Sequence, residues 1–238
     1  MSVQVDTAPL EPETGTRLAL DGVTKQWRRG EPPVLDAVDL VVPPAALAVI
    51  VGRNGSGKTT LLRIAAGMID PDSGSVHLDG LVPRRNRRRF YRHVGFLSAG
   101  STDLYARLTV AQHLDYWARL ALVPPAERAD RVADALELFE LTGLADRRAE
   151  RTSMGQRQRL RLALAVVHRP SLLLFDEPWN SLDEEGIELV NRTLAEFTAS
   201  GGSAVVCIPT GHEVDALPDT TVYRLESGKL EPGERVAG

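Results

Sequence analysis

The residues Gly52-Arg53-Asn54-Gly55-Ser56-Gly57-Lys58-Thr59 fit the pattern G-x-x-x-x-G-K-[ST], a loop built to grip a polyphosphate. Its glycines let backbone N–H groups converge on an anion without Cβ clashes, and a following helix N-terminus adds partial positive charge. The flanking chain supplies both elements. Leu47-Ala48-Val49-Ile50-Val51 predicts a buried strand entering the loop, and Thr60 to Ala66 predicts the helix leaving it. In that setting the Lys58 amine can reach the β- and γ-phosphates of a nucleotide, and the Thr59 hydroxyl can ligate Mg²⁺. The candidate nucleotide contacts are therefore Gly52, Arg53, Asn54, Gly55, Ser56, Gly57, Lys58, Thr59 and Thr60.

A second strand-to-loop element is Ser171-Leu172-Leu173-Leu174-Phe175-Asp176-Glu177-Pro178. A strand buried on both faces should place its first polar residue at the C-terminal edge of the sheet, where α/β proteins bind ligands. Asp176 suits a water-mediated hold on Mg²⁺. Glu177, one residue on, points elsewhere and could polarise an attacking water. Alone this would be an ordinary acidic strand end; beside a phosphate loop it reads as the catalytic half of the site.

The third element is Thr152-Ser153-Met154-Gly155-Gln156-Arg157-Gln158-Arg159. Ser153 and Gln156 have the spacing of a capping box, and the apolar residues Leu160, Leu162, Leu164, Val166 and Val167 follow, with Pro170 as the stop. A serine hydroxyl and a glycine N–H at a helix N-terminus make a second anion-receptive point. Taken alone, it reads as a well-capped structural helix.

The elements that must position these groups read as an α/β framework with a helical insertion. Arg17 to Val42 predicts strands broken by a turn at Arg29-Gly30-Glu31-Pro32-Pro33, and short strands follow at Ser75–Leu78 and Val94–Leu97. Six arginines crowd between Pro83 and Arg92, read as a solvated face. Residues 103 to 165 turn helical. Thr109 and Gln112 form a capping box before Val110, Leu114, Trp117, Ala118 and Ala121, and a second helix runs from Ala126 to Leu141 after Pro124-Pro125.

Composition narrows the class. The chain has 238 residues, 43% hydrophobic and 25% charged, enough for one large domain. Its net charge of −4 gives no global basic field, and no nucleic-acid partner is expected. The single Cys207 lies in the apolar run Ala204 to Ile208 and reads as a small buried hydrophobe, consistent with a reducing compartment. No apolar stretch approaches the roughly 20 residues that cross a bilayer. Residues 1–16 read as a mobile arm, 17–230 as one domain, and 231–238 as a loose tail.

Together the three elements resemble the nucleotide-binding subunit of an ATP-binding cassette (ABC) transporter, over roughly Leu18 to Leu230. The order matches: Walker A at Gly52 to Thr60, a helical insertion, the LSGGQ signature at Thr152 to Gln156, then Walker B at Leu172 to Glu177. The fold this implies is α/β, with a P-loop NTPase core on a mixed or parallel sheet. An N-terminal antiparallel β subdomain and an α-helical insertion subdomain complete it. Ser181-Leu182-Asp183 is similar to the D-loop, which adds Asp183 to the nucleotide contacts, with Ser153, Gly155 and Gln156 from the signature. Trp27 falls where the family places an aromatic that stacks on adenine; read by itself it would be a partly buried strand residue.

The chain departs from the family pattern at several positions. Thr152 and Met154 replace the usual Leu and Gly of the signature. Ala99 stands where the Q-loop glutamine is expected. An ungapped alignment puts Thr210 at the switch histidine, with His212 two residues late as the histidine able to reach the γ-phosphate.

The resemblance implies an ATPase with Glu177 and Lys58 as catalytic residues, ATP and Mg²⁺ as cofactors, and Thr59 and Asp176 at the metal. It implies two copies, or a heterodimer, closing head to tail around ATP and driving a separate transmembrane permease from the inner face of the cell membrane. Leu104 to Thr109 resembles the ABC-2 exporter branch, which implies export. The alternatives are a soluble ABC ATPase, as in iron–sulfur assembly, or a weakly hydrolysing regulatory cassette.

Overall fold

In a computed structural model, residues 17–99, 104–210 and 220–236 are described, and two sheets organise them. Strands β1 (Leu18–Lys25), β2 (Leu35–Val42) and β4 (Ser73–Leu78) form an antiparallel sheet in the order β2-β1-β4. The second sheet has six strands, β5-β6-β7-β3-β8-β9, built from β3 (Leu47–Gly52), β5 (Val94–Leu97), β6 (Leu172–Asp176), β7 (Ser203–Pro209), β8 (Thr220–Glu226) and β9 (Lys229–Val236). Its first five strands are parallel, and β9 pairs antiparallel with β8.

The central strands β3, β6 and β7 are apolar on both faces because each face meets a different core. Leu47, Val49, Leu173, Phe175, Val206 and Ile208 pack into one cluster with the helices that follow the sheet. Their alternating neighbours Ala48, Ile50, Leu172, Leu174, Val205 and Cys207 pack into a second cluster with the antiparallel sheet and helix α1 (Lys58–Ala65). A period of two along each strand thus divides the molecule into two cores. Cys207 is fully buried there, and burial pushes its thiol pKa well up, so it packs as a hydrophobe.

The helical insertion holds α3 (Val110–Leu120), α4 (Arg128–Leu138) and α5 (Met154–Val166), after the short α2 (Arg87–Arg92); α6 (Glu184–Ala199) follows β6. Both predicted capping boxes form. The Gln112 N–H donates to Thr109 Oγ1 at 3.1 Å and the Gln156 N–H to Ser153 Oγ at 3.2 Å, each with the return bond from the cap backbone. The arginines around α2 are exposed while Phe90 anchors the helix in the core, as expected of a solvated face.

Some boundaries move. Helix α1 begins at Lys58 rather than Thr60, because Gly57 at φ 107° closes the loop tightly enough to start the helix one residue later. The helix expected from Ala126 opens with a 3₁₀ turn at Pro125–Glu127 and ends at Leu138, where Glu140 at φ 55° turns the chain so that Leu141 can bury.

The tail expected to be loose from Glu231 is instead paired through Val236 in β9. Leu230 packs against the second core, and Pro232 is tolerated because β9 is an edge strand. Gly233 is required where it sits: a Cβ there would stand 2.8 Å from the Val222 carbonyl. The arm at 1–16 lies outside the described residues.

Candidate functional site

The sheet order explains how residues far apart in sequence meet. Strand β7 lies between β3 and β6, with Gly52 opposite Pro209 and Asp176 opposite Cys207. The phosphate loop and the acidic end of β6 therefore leave the same edge of the sheet, separated by one strand. A hydrogen bond bridges that gap: Thr59 Oγ1 donates to Asp176 Oδ2 at 2.6 Å. Two hard oxygen donors, brought together from 117 positions apart, fit the donor set that Mg²⁺ takes.

The loop is shaped for an anion. Gly52 cannot carry a Cβ, which would lie 2.6 Å from both the Leu225 carbonyl and Ser56 Oγ, and at Gly57 it would lie 2.8 Å from the Val34 carbonyl. No side chain among the described residues caps α1, so its first backbone N–H groups remain for a ligand. Lys58 is buried, and its amine donates to the carbonyls of Gly52 at 2.7 Å and Arg53 at 3.1 Å, folded back across the loop. Ser56 Oγ is buried and meets no hydrogen-bond partner among the described residues. A buried hydroxyl without a partner is costly, and a phosphate oxygen at this loop would satisfy it.

Asn54, Gly55, Gly57, Lys58, Thr59, Thr60, Asp176 and Glu177 line a cleft of about 310 Å³ together with Val34. A second cavity, about 580 Å³, lies on the other side of the loop; Gly52, Arg53 and Ser56 line it with Thr210 and the Glu226-Ser227-Gly228 turn. Burial raises the Asp176 pKa above the usual carboxylate value, opposed by the Thr59 hydrogen bond and by the Ala99 backbone N–H, which donates to the same carboxylate. Glu177 is held in a strained backbone conformation, φ 52°, with its N–H donated to the Cys207 carbonyl at 2.9 Å. Asn180 Nδ2 donates to Glu177 Oε2 at 2.6 Å, fixing the direction of the carboxylate at the cleft.

Other predicted residues stand apart from this cleft. Trp27 is exposed beyond the end of β1, with the Lys25 amine 5.3 Å from its ring centroid, and it lines neither cavity at the loop. It is not the partly buried strand residue that its surroundings in the sequence suggested. Ser153, Gly155 and Gln156 also line neither cavity. They sit at the N-terminus of α5 beside the D-loop, where a Cβ on Gly155 would be 3.3 Å from the Ser181 carbonyl. Met154 projects outward and is 67% exposed, so the departure from glycine costs no internal packing. Asp183 caps α6, accepting from the Gly186 N–H at 3.0 Å. Thr210 faces the larger cavity, not the cleft that holds Lys58; His212 lies outside the described residues.

Sequence reasoning missed Val34, Asn180 and the Glu226–Gly228 turn. Asn180, three residues after Glu177, could have been found as a local orienting partner; the Glu226–Gly228 turn comes to the loop through the pairing of β8 with β3, and Val34 through close packing of the chain before β2 against Gly57.

Comparisons agree with this geometry. Residues 35–180 match the family model described as ABC transporter. The chain is 34% identical to the phosphonates import ATP-binding protein PhnC of Bordetella parapertussis, over 89% of this chain and 98% of that protein. It is also 34% identical to the methionine import ATP-binding protein MetN of Corynebacterium diphtheriae, over 91% of this chain but only 65% of the longer relative. An ATP-binding cassette solved as a dimer in a post-hydrolysis state with ADP and Pi superposes with a TM-score of 0.82 at 25% identity, covering 93% of this chain and 99% of that one. Motif, sheet order, cleft and relatives converge: the chain belongs to the ABC transporter family, as an ATP-binding domain.

Proposed function

We propose that this protein binds Mg-ATP at the loop 52–60, hydrolyses it with Glu177 and uses the cycle to drive a separate transmembrane permease. The observation that carries the reading is the 2.6 Å contact between Thr59 and Asp176, which joins the phosphate loop to the acidic strand end. A Mg²⁺ ion there would be held by Thr59 and, through water, Asp176, and would supply charge neutralisation on the β- and γ-phosphate oxygens. Lys58 would swing from the Gly52 and Arg53 carbonyls onto those phosphates. Glu177 would accept a proton from the attacking water, oriented by Asn180.

The exposed N-terminus of α5 supports a composite site. Its capped end carries Ser153 and Gly155 on the surface, away from the chain's own loop, where a second copy or a related ATPase subunit could meet it. Dimer closure around ATP follows, and a dimeric cassette among the solved relatives lends support. No helix among the described residues is long and apolar enough to cross a membrane. In this reading a separate permease spans the bilayer and the domain works against its cytoplasmic face. Export rests on the resemblance of Leu104 to Thr109 to one exporter branch; relatives named for phosphonate and methionine import weigh against it, so the proposal is for coupled transport.

Steady-state phosphate release tests the reading. The expected result is ATP turnover that requires Mg²⁺ and stops when the metal is chelated. ATP binding without turnover at any Mg²⁺ concentration would instead favour the regulatory cassette, which Ala99 and Thr210, where a family glutamine and histidine are expected, motivate.

A further inference from the structure

Gln158 and Arg161 lie one turn apart on α5 and are both more than nine-tenths buried. A buried guanidinium is costly unless its donors are matched, and here they are aimed at the catalytic edge of the sheet. Arg161 Nη1 donates to Gln158 Oε1 at 2.8 Å, and Gln158 Nε2 donates to the Pro178 carbonyl, also at 2.8 Å. Arg161 Nη2 donates to the Ser98 carbonyl on the far side. Pro178 directly follows Glu177. Ser98 directly precedes Ala99, whose N–H donates to Asp176. One planar fork thus ties together the two backbone segments that flank both site carboxylates.

The same arginine reaches a second surface. With Arg63, Met68, Phe96, Tyr105 and Trp117 it lines a groove of about 640 Å³ between the sheet edge and the helical insertion. Any displacement of the groove wall at Ser98 or Arg161 therefore moves an anchor of Asp176 and, through Gln158, an anchor of Glu177. Ala99 has no polar side chain with which to make such a link itself.

We propose that Arg161 is a positioning residue for ATP hydrolysis, holding Asp176 and Glu177 in place and carrying the state of the groove to them. This role rests on the hydrolysis reading above, so it is tested by a readout that does not require turnover. Arg161→Met keeps bulk and removes the fork; Arg161→Lys keeps the charge but cannot engage two divergent acceptors in a plane.

The gain in ATP affinity on adding Mg²⁺ is measured by calorimetry, alongside kcat and KM. Arg161→Met should lose about 10- to 100-fold in kcat, as residues that orient metal-site groups commonly do. Its metal-free ATP affinity should stay at the wild-type value while the Mg²⁺-dependent gain shrinks. Arg161→Lys should recover part of both. Wild-type kcat and an unchanged Mg²⁺ gain in a folded Arg161→Met overturn the proposal. So does an equal fall in metal-free and Mg²⁺-supported affinity, which marks a general packing role. If Arg161→Met does not fold, Arg161→Lys decides on the same two readouts. A wild-type protein that gains affinity with Mg²⁺ but never turns over tells against hydrolysis, while the affinity gain still tests Arg161.

Discussion

Glu177→Gln is expected to bind ATP as tightly as the wild type and to lose about 10²- to 10⁴-fold in turnover, the usual contribution of a positioned general base. The amide is isosteric and can keep its contact with Asn180 by turning its carbonyl oxygen toward the donor, so the strained backbone at φ 52° and the Cys207 contact should persist. What is lost is the ability to accept a proton. Because reopening of an ATP-closed pair would depend on hydrolysis, this variant should also accumulate as a dimer with saturating Mg-ATP. Gel filtration with light scattering reads that directly; a variant that stays monomeric with ATP bound would count against sandwich closure, and undiminished turnover would remove Glu177 from the mechanism.

Lys58→Ala should weaken ATP binding by roughly 10- to 100-fold, corresponding to about 1.5–3 kcal/mol for a hydrogen bond to a charged group. The effect has two sources. The charge-assisted bonds to the phosphates disappear. The resting contacts to the Gly52 and Arg53 carbonyls also go, so the loop is less organised before ligand arrives. Calorimetry with the metal-free nucleotide isolates this from the Thr59–Asp176 contribution. Unchanged affinity would mean that the triphosphate is held elsewhere.

The core of this site was legible because its chemistry is local. Gly57, Lys58 and Thr59 are adjacent, their strand and helix are contiguous, and hydrophobic pattern alone places Asp176 at the end of a strand. The capping box at Ser153 and Gln156 was equally readable, since its donors and acceptors lie within one turn. The partly buried strand position that local pattern suggested for Trp27 fails because the bend after β1 turns it to solvent, a matter of turn geometry rather than residue type. The final strand was missed because Pro232 and Gly233 look like breakers, and only pairing with β8 makes an edge strand of them. The Arg161 bridge was invisible for a different reason. In sequence it reads as one more basic residue in a helix, and its role depends on carbonyls 63 and 17 positions away.

The claim on which the account turns is that one nucleotide is gripped by the glycine loop of one chain and the capped helix of another. Backbone hydrogen exchange of Glu177→Gln with and without Mg-ATP, at concentrations above and below dimer formation, reports on both surfaces at once. Slowed exchange at 53–60 at every concentration, joined by 153–156 only where the dimer forms, is the predicted result. Protection confined to other segments, with the loop amides exchanging as freely as without nucleotide, would contradict it.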